Sequence, residues 1–255
     1  MEQPYPIRLE EAPIVEAIVE IRFNSSLPAD AVFGIVYAQL QENYPSHKQL
    51  PIMQLPDEIR KKEINLIYQA YYQLAGSGPL VIGIGPRVIS IGFAKYNVNN
   101  IVDYPGWTNH MADEASRVIK LALDSLPSIN VERLGIRYQD FFKDMNLVDG
   151  SEINFNFARR ETKSLMVKTS IQENDMLHGI TISDNANINI QNEGQVRIEF
   201  GSLLDIDTSI NDFEVDTLSE IKSLLTRVHD ANKNLFYEIL KKDFVDNLGA
   251  VYPTT

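Results

Sequence analysis

Residues 13–23, with the sequence PIVEAIVEIRF, alternate between two kinds of side chain, and this alternation constrains the fold more than any other feature. One side of an extended chain carries Ala17, Val19, Ile21 and Phe23, and the other carries Glu16, Ile18, Glu20 and Arg22. Because successive strand residues face opposite sides, the pattern predicts a strand with one buried and one charged face. A sheet of such strands needs helices on one face only.

Three segments with apolar residues at helical spacing supply those helices. The first begins after Pro28 and predicts a helix over residues 29–44, and the second ends before Pro127. The last, residues 213–248, predicts a long helix with a break near residues 241–243 and a stop at Gly249.

The remaining patterns predict strands, turns and one loop. Strands are expected at 66–75, 79–84, 88–94, 130–142, 152–158, 164–172, 177–183, 188–190 and 196–200, with turns at 184–187 and 192–194 and a long surface loop at 45–65. The predicted fold class is α+β: antiparallel sheets with amphipathic helices on one face, two similar strand-helix-strand halves and a long C-terminal helix. The halves divide near residues 146–151 into an N-terminal α+β half, 1–145, and a C-terminal sheet with the long helix, 146–255; one continuous domain is the alternative.

Charge and cysteine content exclude several classes of function. There are 23 Lys and Arg against 35 Asp and Glu, a formal charge of -12, so the surface repels phosphate backbones and no nucleic acid is expected as a partner. The chain has no cysteine, which excludes disulfides and thiolate chemistry and fits a reducing compartment. No apolar run approaches the length of a membrane span. A cytoplasmic protein without membrane attachment is therefore predicted.

Known catalytic and cofactor motifs do not match. Gly83 and Gly85 fail the dinucleotide fingerprint because Val88 stands where the third glycine belongs. The four histidines lack metal-ligand spacing, and His229, beside Asp230, is interpreted as a helix-surface or capping residue that could titrate near neutrality. No catalytic residue, resident metal or cofactor is therefore predicted.

Charged residues on the second face of several strands form the first candidate site. Asp205 and Asp207 form a D-x-D whose carboxylates share one face of a strand end, which suits Mg²⁺ but also suits a polar strand end before a turn. We expect this charged face of the sheet to be open to water. In a closed barrel, Glu20, Asp205 and Asp207 would hold a metal, and Arg22, Arg137 and Lys168 would hold phosphate oxygens.

Aromatic residues in the N-terminal half form a second candidate site. Tyrosine and tryptophan are favoured at contact surfaces because they bury area and keep a polar group. Tyr71, Tyr96 and Trp107 are the candidates for an exposed interaction patch.

Six ordered blocks support a family resemblance: PIVEAIVEIRF, IGPRVISIGF, YPGWTNH, RLGIRYQDFF, LLDIDTS and LLTRVHDANKNLFYEIL. Together they resemble a sporadically distributed family of uncharacterised bacterial and archaeal proteins of about this length. The chain departs from that family at Gln139-Asp140-Phe141-Phe142, where a polar turn normally follows. The resemblance implies a one-unit protein and, through its sporadic distribution, a mobile or defence-related setting.

Three functions follow as hypotheses. The first is a non-catalytic interaction protein, immunity-like or antitoxin-like, that binds a protein partner or itself. The second is a metal-dependent enzyme that acts on a phosphate or nucleotide substrate within a charged barrel. The third is a protein that binds a small apolar ligand between the sheet and the long helix.

Overall fold

A computed structural model describes residues 5–97, 100–153, 164–192, 195–211 and 213–253. The strands are β1 (Arg8–Leu9), β2 (Ile14–Asn24), β3 (Ser46–Gln49), β4 (Tyr72–Ala75), β5 (Leu80–Ile84), β6 (Val88–Ala94), β7 (Tyr96–Asn97), β8 (Asn100–Ile101), β9 (Asn130–Lys143), β10 (Met166–Glu173), β11 (Met176–Asn192), β12 (Gln195–Asn211) and β13 (Ala250–Val251). The helices are α1 (Ala29–Leu40), α2 (Asp57–Lys62), α3 (Ile64–Ile67), α4 (Ala112–Ser125), α5 (Leu147–Gly150), α6 (Leu218–Ile239) and α7 (Lys242–Asp246).

One antiparallel sheet of nine strands runs through both halves of the chain, in the order β10-β11-β12-β9-β2-β6-β5-β4-β3. Its fourth strand, β9, pairs with β2 on one side and with β12 on the other. Strands from before and after residue 146 therefore hydrogen-bond to each other within a single sheet. Its edges, β10 and β3, stand at opposite ends, so the described strands form an open sheet.

Helices α1, α4 and α6 cover one face of this sheet. Val19 and Ile21 of β2 are fully buried in a cluster with Val36 of α1, Val118 of α4 and Leu225 of α6. A second apolar cluster lies under the C-terminal part of α6 and includes Phe142, Leu204 and Phe236. The predicted α+β class, with antiparallel strands and a long C-terminal helix, is confirmed.

The segment predicted as a surface loop, residues 45–65, is mostly ordered into short elements. It contains β3, a 3-10 turn at Pro51–Gln54, α2 and the start of α3, and the next strand begins at Tyr72 instead of residue 66. β3 forms because it pairs with β4, and such a nonlocal partner leaves no periodicity in four exposed residues. Helix α1 ends at Leu40, before the predicted residue 44.

The predicted turn at residues 184–187 is wrong, because β11 is continuous. An irregularity in the pairing register between Ser183 and Ala186 accommodates one extra residue of β11, while pairing with β12 continues on both sides. β12 is also continuous, so Asp205 and Asp207 lie inside a strand and not at its end. The predicted strand at 152–158, apart from its first two residues, and Glu193 and Gly194 of the predicted turn at 192–194 lie outside the described residues.

In the C-terminal segment the predicted break and stop are present, but the long helix begins at Leu218 and not at residue 213. Thr217 caps α6 in a capping box with Glu220, the helix ends at Ile239, and α7 follows after a short break. Gly249 adopts φ +70°, which confirms it as the stop. Within the part of the chain that the structure describes, no helix has both the length and the apolar content to cross a membrane.

Candidate functional site

A cavity of about 900 Å³ lies between the sheet and α6, where α6 passes from the first apolar cluster to the second. Its walls come from four parts of the chain: residues 7–14, the segment 104–113, the end of β9 and one stripe of α6. The lining residues on α6 are Lys222, Thr226, His229, Asp230, Asn232, Lys233, Phe236 and Tyr237. Positions 222, 226, 229, 233 and 236 recur every three or four residues, so most of this lining lies on one side of the helix.

The irregular segment before α4 places Trp107 over α6. Gly106 adopts φ +95° and ψ 162°, a region that is essentially restricted to glycine, and Asn109 adopts φ 64°. The half-buried indole of Trp107 stacks on the imidazole of His229, with ring centroids 4.2 Å apart and planes at 9°. The two rings form one wall of the cavity.

Burial determines the protonation state of His229. Its side chain is 14% exposed, and its Nδ1 lies 3.1 Å from Oδ1 of Asp230. Burial lowers the pKa of His229, and the carboxylate of Asp230 only partly offsets this. The imidazole is therefore neutral at pH 7, as a flat polar surface beside the indole.

Two tyrosines form a second wall. The hydroxyl oxygens of Tyr104 and Tyr138 lie 2.8 Å apart, and their rings meet edge to face at a centroid distance of 5.9 Å. Burial raises the pKa of Tyr104 to about 12 and the pKa of Tyr138 well above its usual range. Both hydroxyls remain protonated and can donate or accept a hydrogen bond.

Asp140 provides the carboxyl group of the cavity. The residue is 3% exposed, and its side chain has no hydrogen bond or ion pair with any residue that the structure describes. Every described side-chain oxygen that is sealed from solvent has a partner, so the carboxyl of Asp140 still reaches the cavity. Burial, with the negative charge of Asp205 behind it, raises the pKa of Asp140 to about 8.

A buried polar network fixes α6 against the sheet beside the cavity. Nδ2 of Asn232 lies 3.2 Å from the carbonyl oxygen of Ile136, 3.0 Å from that of Ile206 and 3.0 Å from Oγ1 of Thr208. Nδ1 of His178, which is 2% exposed, lies 3.0 Å from the same hydroxyl. These contacts tie one helix to two strands and hold the cavity wall in place.

The N-terminal segment closes one side of the cavity. β1 pairs with β13, which anchors residues 8–9 beside the C-terminus. The ring of Tyr5 stacks on Tyr237 at a centroid distance of 5.4 Å, and its hydroxyl donates to Glu238 at 2.9 Å. Together these contacts hold residues 7–14 against α6.

The lining of the cavity carries charged residues of both signs, and among them only Asp140 is buried. Lys222 contacts Asp113 at 2.8 Å, and Arg8 lies near Glu10 on a side chain that is 65% exposed. Aromatic walls, neutral hydroxyls and one isolated carboxyl are the composition of a site that orients an amphipathic small molecule.

The predicted charged residues gather on the open face of the sheet, where they neutralise one another. Nη2 of Arg133 lies 2.6 Å from Oδ1 of Asp207, and Nη1 lies 3.0 Å from Oε1 of Glu20, which also accepts from Arg22 at 2.7 Å. Arg137 contacts both carboxylate oxygens of Asp205, at 2.8 and 2.5 Å. The face is thus a set of paired charges on an open sheet.

Two further observations bear on the metal and phosphate candidates. Lys168 lies on edge strand β10, across from Thr181, and forms no ion pair with a described residue. Among the described residues, no three His, Asp or Glu side chains stand close enough to hold a metal ion. The structure therefore brings together Glu20, Arg22 and Asp207 through Arg133 but leaves Lys168 apart.

The three aromatic candidates lie in different surroundings. Tyr71 is 3% exposed, and the guanidinium of Arg60 lies 4.9 Å from its ring centre, so it belongs to no open patch. Tyr96 is half-buried beside the charges of Glu199 and Arg197. Trp107 lines the cavity.

The sequence suggested a ligand between the sheet and the long helix but did not identify Asp140 or most of the lining, because the lining comes from four distant segments; two signals were nevertheless present. The residues of β9 that face the core are Leu134, Ile136, Tyr138, Asp140 and Phe142, so one carboxyl group stands among apolar and aromatic side chains. Asn232 likewise interrupts the apolar stripe of α6. A polar residue at a core-facing position indicates either a buried hydrogen-bond network or a functional site.

Comparison with known proteins does not extend these assignments. No family model and no curated protein matches the chain. Its function is therefore inferred from the geometry of the site.

Proposed function

We propose that this chain is a binding protein that holds a small amphipathic molecule in the cavity between the sheet and α6. The observation that carries this proposal is that aromatic walls and one buried carboxyl, which has no partner among the described residues, line a single space of about 900 Å³. Sites for small molecules are typically concave, mostly apolar and of about 300–1,000 Å³, with few polar groups that orient the ligand. The third hypothesis drawn from the sequence is a small apolar ligand between the sheet and the long helix. The proposal here keeps that position but adds a polar group on the ligand, which would bond to the buried carboxyl.

The chain contains its own reporter of binding. Trp107 is the sole tryptophan and lines the cavity, so a ligand that enters changes its fluorescence. We expect members of a small-molecule library to shift this emission and to raise the unfolding temperature. A ligand at about 100 times its Kd adds roughly 2.7 kcal/mol to stability.

Two matched variants test whether the cavity is the site. Thr226→Phe adds a ring at a residue that lines both this cavity and a neighbouring hollow, whereas Ser223→Phe adds one at a residue that lines only the neighbouring hollow. Hits should bind the wild type and Ser223→Phe but not Thr226→Phe. Equal binding to both variants, or a library without hits, would contradict the proposal.

We also propose protein recognition as a second function, because one surface carries an exposed apolar stripe. Residues 195–200 of β12 pair with β11 beyond the end of β9, so the two strands form a projecting ribbon. On one face of this ribbon, Val196, Ile198 and Phe200 are 66%, 52% and 59% exposed. The net charge of -12 favours a partner protein of net positive charge, and an immunity-like or antitoxin-like role fits such binding.

A photo-crosslinking residue at Ile198 tests this second function in cells, with Lys61 on α2 as the control position. We expect one basic protein to be captured from position 198 and not from position 61, and Phe200→Asp to abolish the capture. Capture of a second copy of this chain would indicate self-association instead. A lack of any specific adduct would contradict the proposal.

A further inference from the structure

We infer that the ligand of the cavity is an organic cation on a planar apolar frame, whose protonated nitrogen bonds to the carboxyl of Asp140 while the frame lies against the aromatic walls. This inference rests on the proposed binding function and names the ligand class. Amines, amidines and guanidines on an aromatic or fused-ring frame have this chemistry.

The first support is the isolation of Asp140. A buried carboxyl normally has hydrogen-bond donors around it, because burial without them costs free energy. Asp140 is 3% exposed and has no such donor among the described residues. A ligand with a charged N–H donor would supply the missing partner.

The second support is that the three basic side chains of the cavity, those of Arg8, Lys222 and Lys233, form no ion pair with Asp140. Lys222 contacts Asp113, and Arg8 is largely exposed near Glu10. Elsewhere in the part of the chain that the structure describes, no basic residue forms an ion pair with Asp140 either. The carboxyl of Asp140 therefore has no basic partner among these residues.

The third support is the lining around that acid. The rings of Trp107, Tyr104 and Tyr138 have electron-rich faces that attract cations and planar ligands. The net charge of -12 also raises the local concentration of cations near the surface. An anionic ligand would meet repulsion from both sources.

Three probes of the same shape separate the ligand classes: 2-naphthamidine, 2-naphthamide and 2-naphthoate. Binding is measured by Trp107 fluorescence and by calorimetry at pH 8.5, where the carboxyl is largely ionised. We expect the amidine to bind tenfold to a hundredfold more tightly than the amide, the range of a charged hydrogen bond. The carboxylate should bind most weakly.

Two carboxylate variants assign that preference to its residue. Asp140→Asn keeps the shape and removes the charge, so the amidine and the amide should then bind within threefold of each other. Asp124→Asn removes an exposed carboxylate outside the cavity and should preserve the preference. Thermal unfolding of both variants confirms that they are folded.

The outcomes distinguish a failure of this inference from a failure of the proposed binding function. Equal binding of the amidine and the amide to the wild type, or a preference that survives in Asp140→Asn, would overturn the ligand class and leave a binding protein for neutral molecules. If no probe binds, and none changes the fluorescence of Trp107, the binding function falls and this inference falls with it.

Discussion

The indole of Trp107 lies parallel to the imidazole of His229, with ring centroids 4.2 Å apart. Since Trp107 is the only tryptophan, its emission reports the protonation of this one histidine. Burial lowers the pKa of His229, so quenching by the imidazolium should appear only below about pH 6.5. A fluorescence titration measures the midpoint, and His229→Gln should remove the transition. A midpoint above 6.5 would contradict the burial of the ring.

Asp140 should make stability fall as the pH rises. Its pKa is raised to about 8 in the folded chain, against about 3.9 when unfolded. Between these values the folded state holds a proton that the unfolded state has lost, so stability is lost as the pH rises through the window. The wild type should therefore lose up to about 1.4 kcal/mol per pH unit relative to Asp140→Asn between pH 5 and 7. Urea unfolding at several pH values measures this difference in the free energy of unfolding. The titrations of histidines common to both proteins largely cancel in it. A difference that does not change with pH would show that Asp140 is ionised throughout.

Asn232 should stabilise the fold far more than its neighbour Asn234. Asn232 is 2% exposed and bridges α6 to β9 and β12, whereas Asn234 is exposed on the same helix. Replacement of Asn232 by alanine should cost about 1–3 kcal/mol because buried polar groups lose their partner. Asn234→Ala should stay within about 0.5 kcal/mol of the wild type. Similar urea midpoints for the two variants would contradict the role of the network.

The pair between Arg137 and Asp205 should contribute more to stability than an ordinary surface pair. The side chain of Asp205 is 14% exposed, while that of Asp124, which pairs with Lys120, is 60% exposed. Asp205→Asn should cost about 1–3 kcal/mol, because it leaves the guanidinium of Arg137 without its counter-charge. Asp124→Asn should cost less than about 1 kcal/mol. Calorimetric unfolding temperatures at low and high salt give both values, and equal losses would contradict the difference in burial.

The charged face also tests the metal and phosphate hypothesis directly. Asp205 and Asp207 are held by Arg137 and Arg133, so Mg²⁺ would have to displace both guanidinium groups. We therefore expect no rise in unfolding temperature with Mg²⁺ and a nucleoside triphosphate. A rise of several degrees that Asp207→Asn abolishes would restore that hypothesis.

Sequence patterns predicted the regular elements wherever the local periodicity matches the burial of each residue in the folded chain. β2 shows this best, because Val19 and Ile21 face the core while Glu20 and Arg22 face the open side. The stop at Gly249 is likewise a local signal. Predictions failed at β3 and at residues 184–187, since a short exposed strand and an irregular register depend on a distant partner strand.

Alternation, helical spacing and capping chemistry were enough to establish an α+β chain with one charged sheet face and a long final helix, because each is a property of neighbours along the chain. The cavity depends on packing, since residues 7–14, the segment before α4, the end of β9 and α6 meet only when the sheet is assembled. The same packing pairs the charges of Asp205 and Asp207 and isolates the carboxyl of Asp140. The type of a residue determines the charge that it can carry. Its counter-charge and its access to solvent arise from contacts between distant segments.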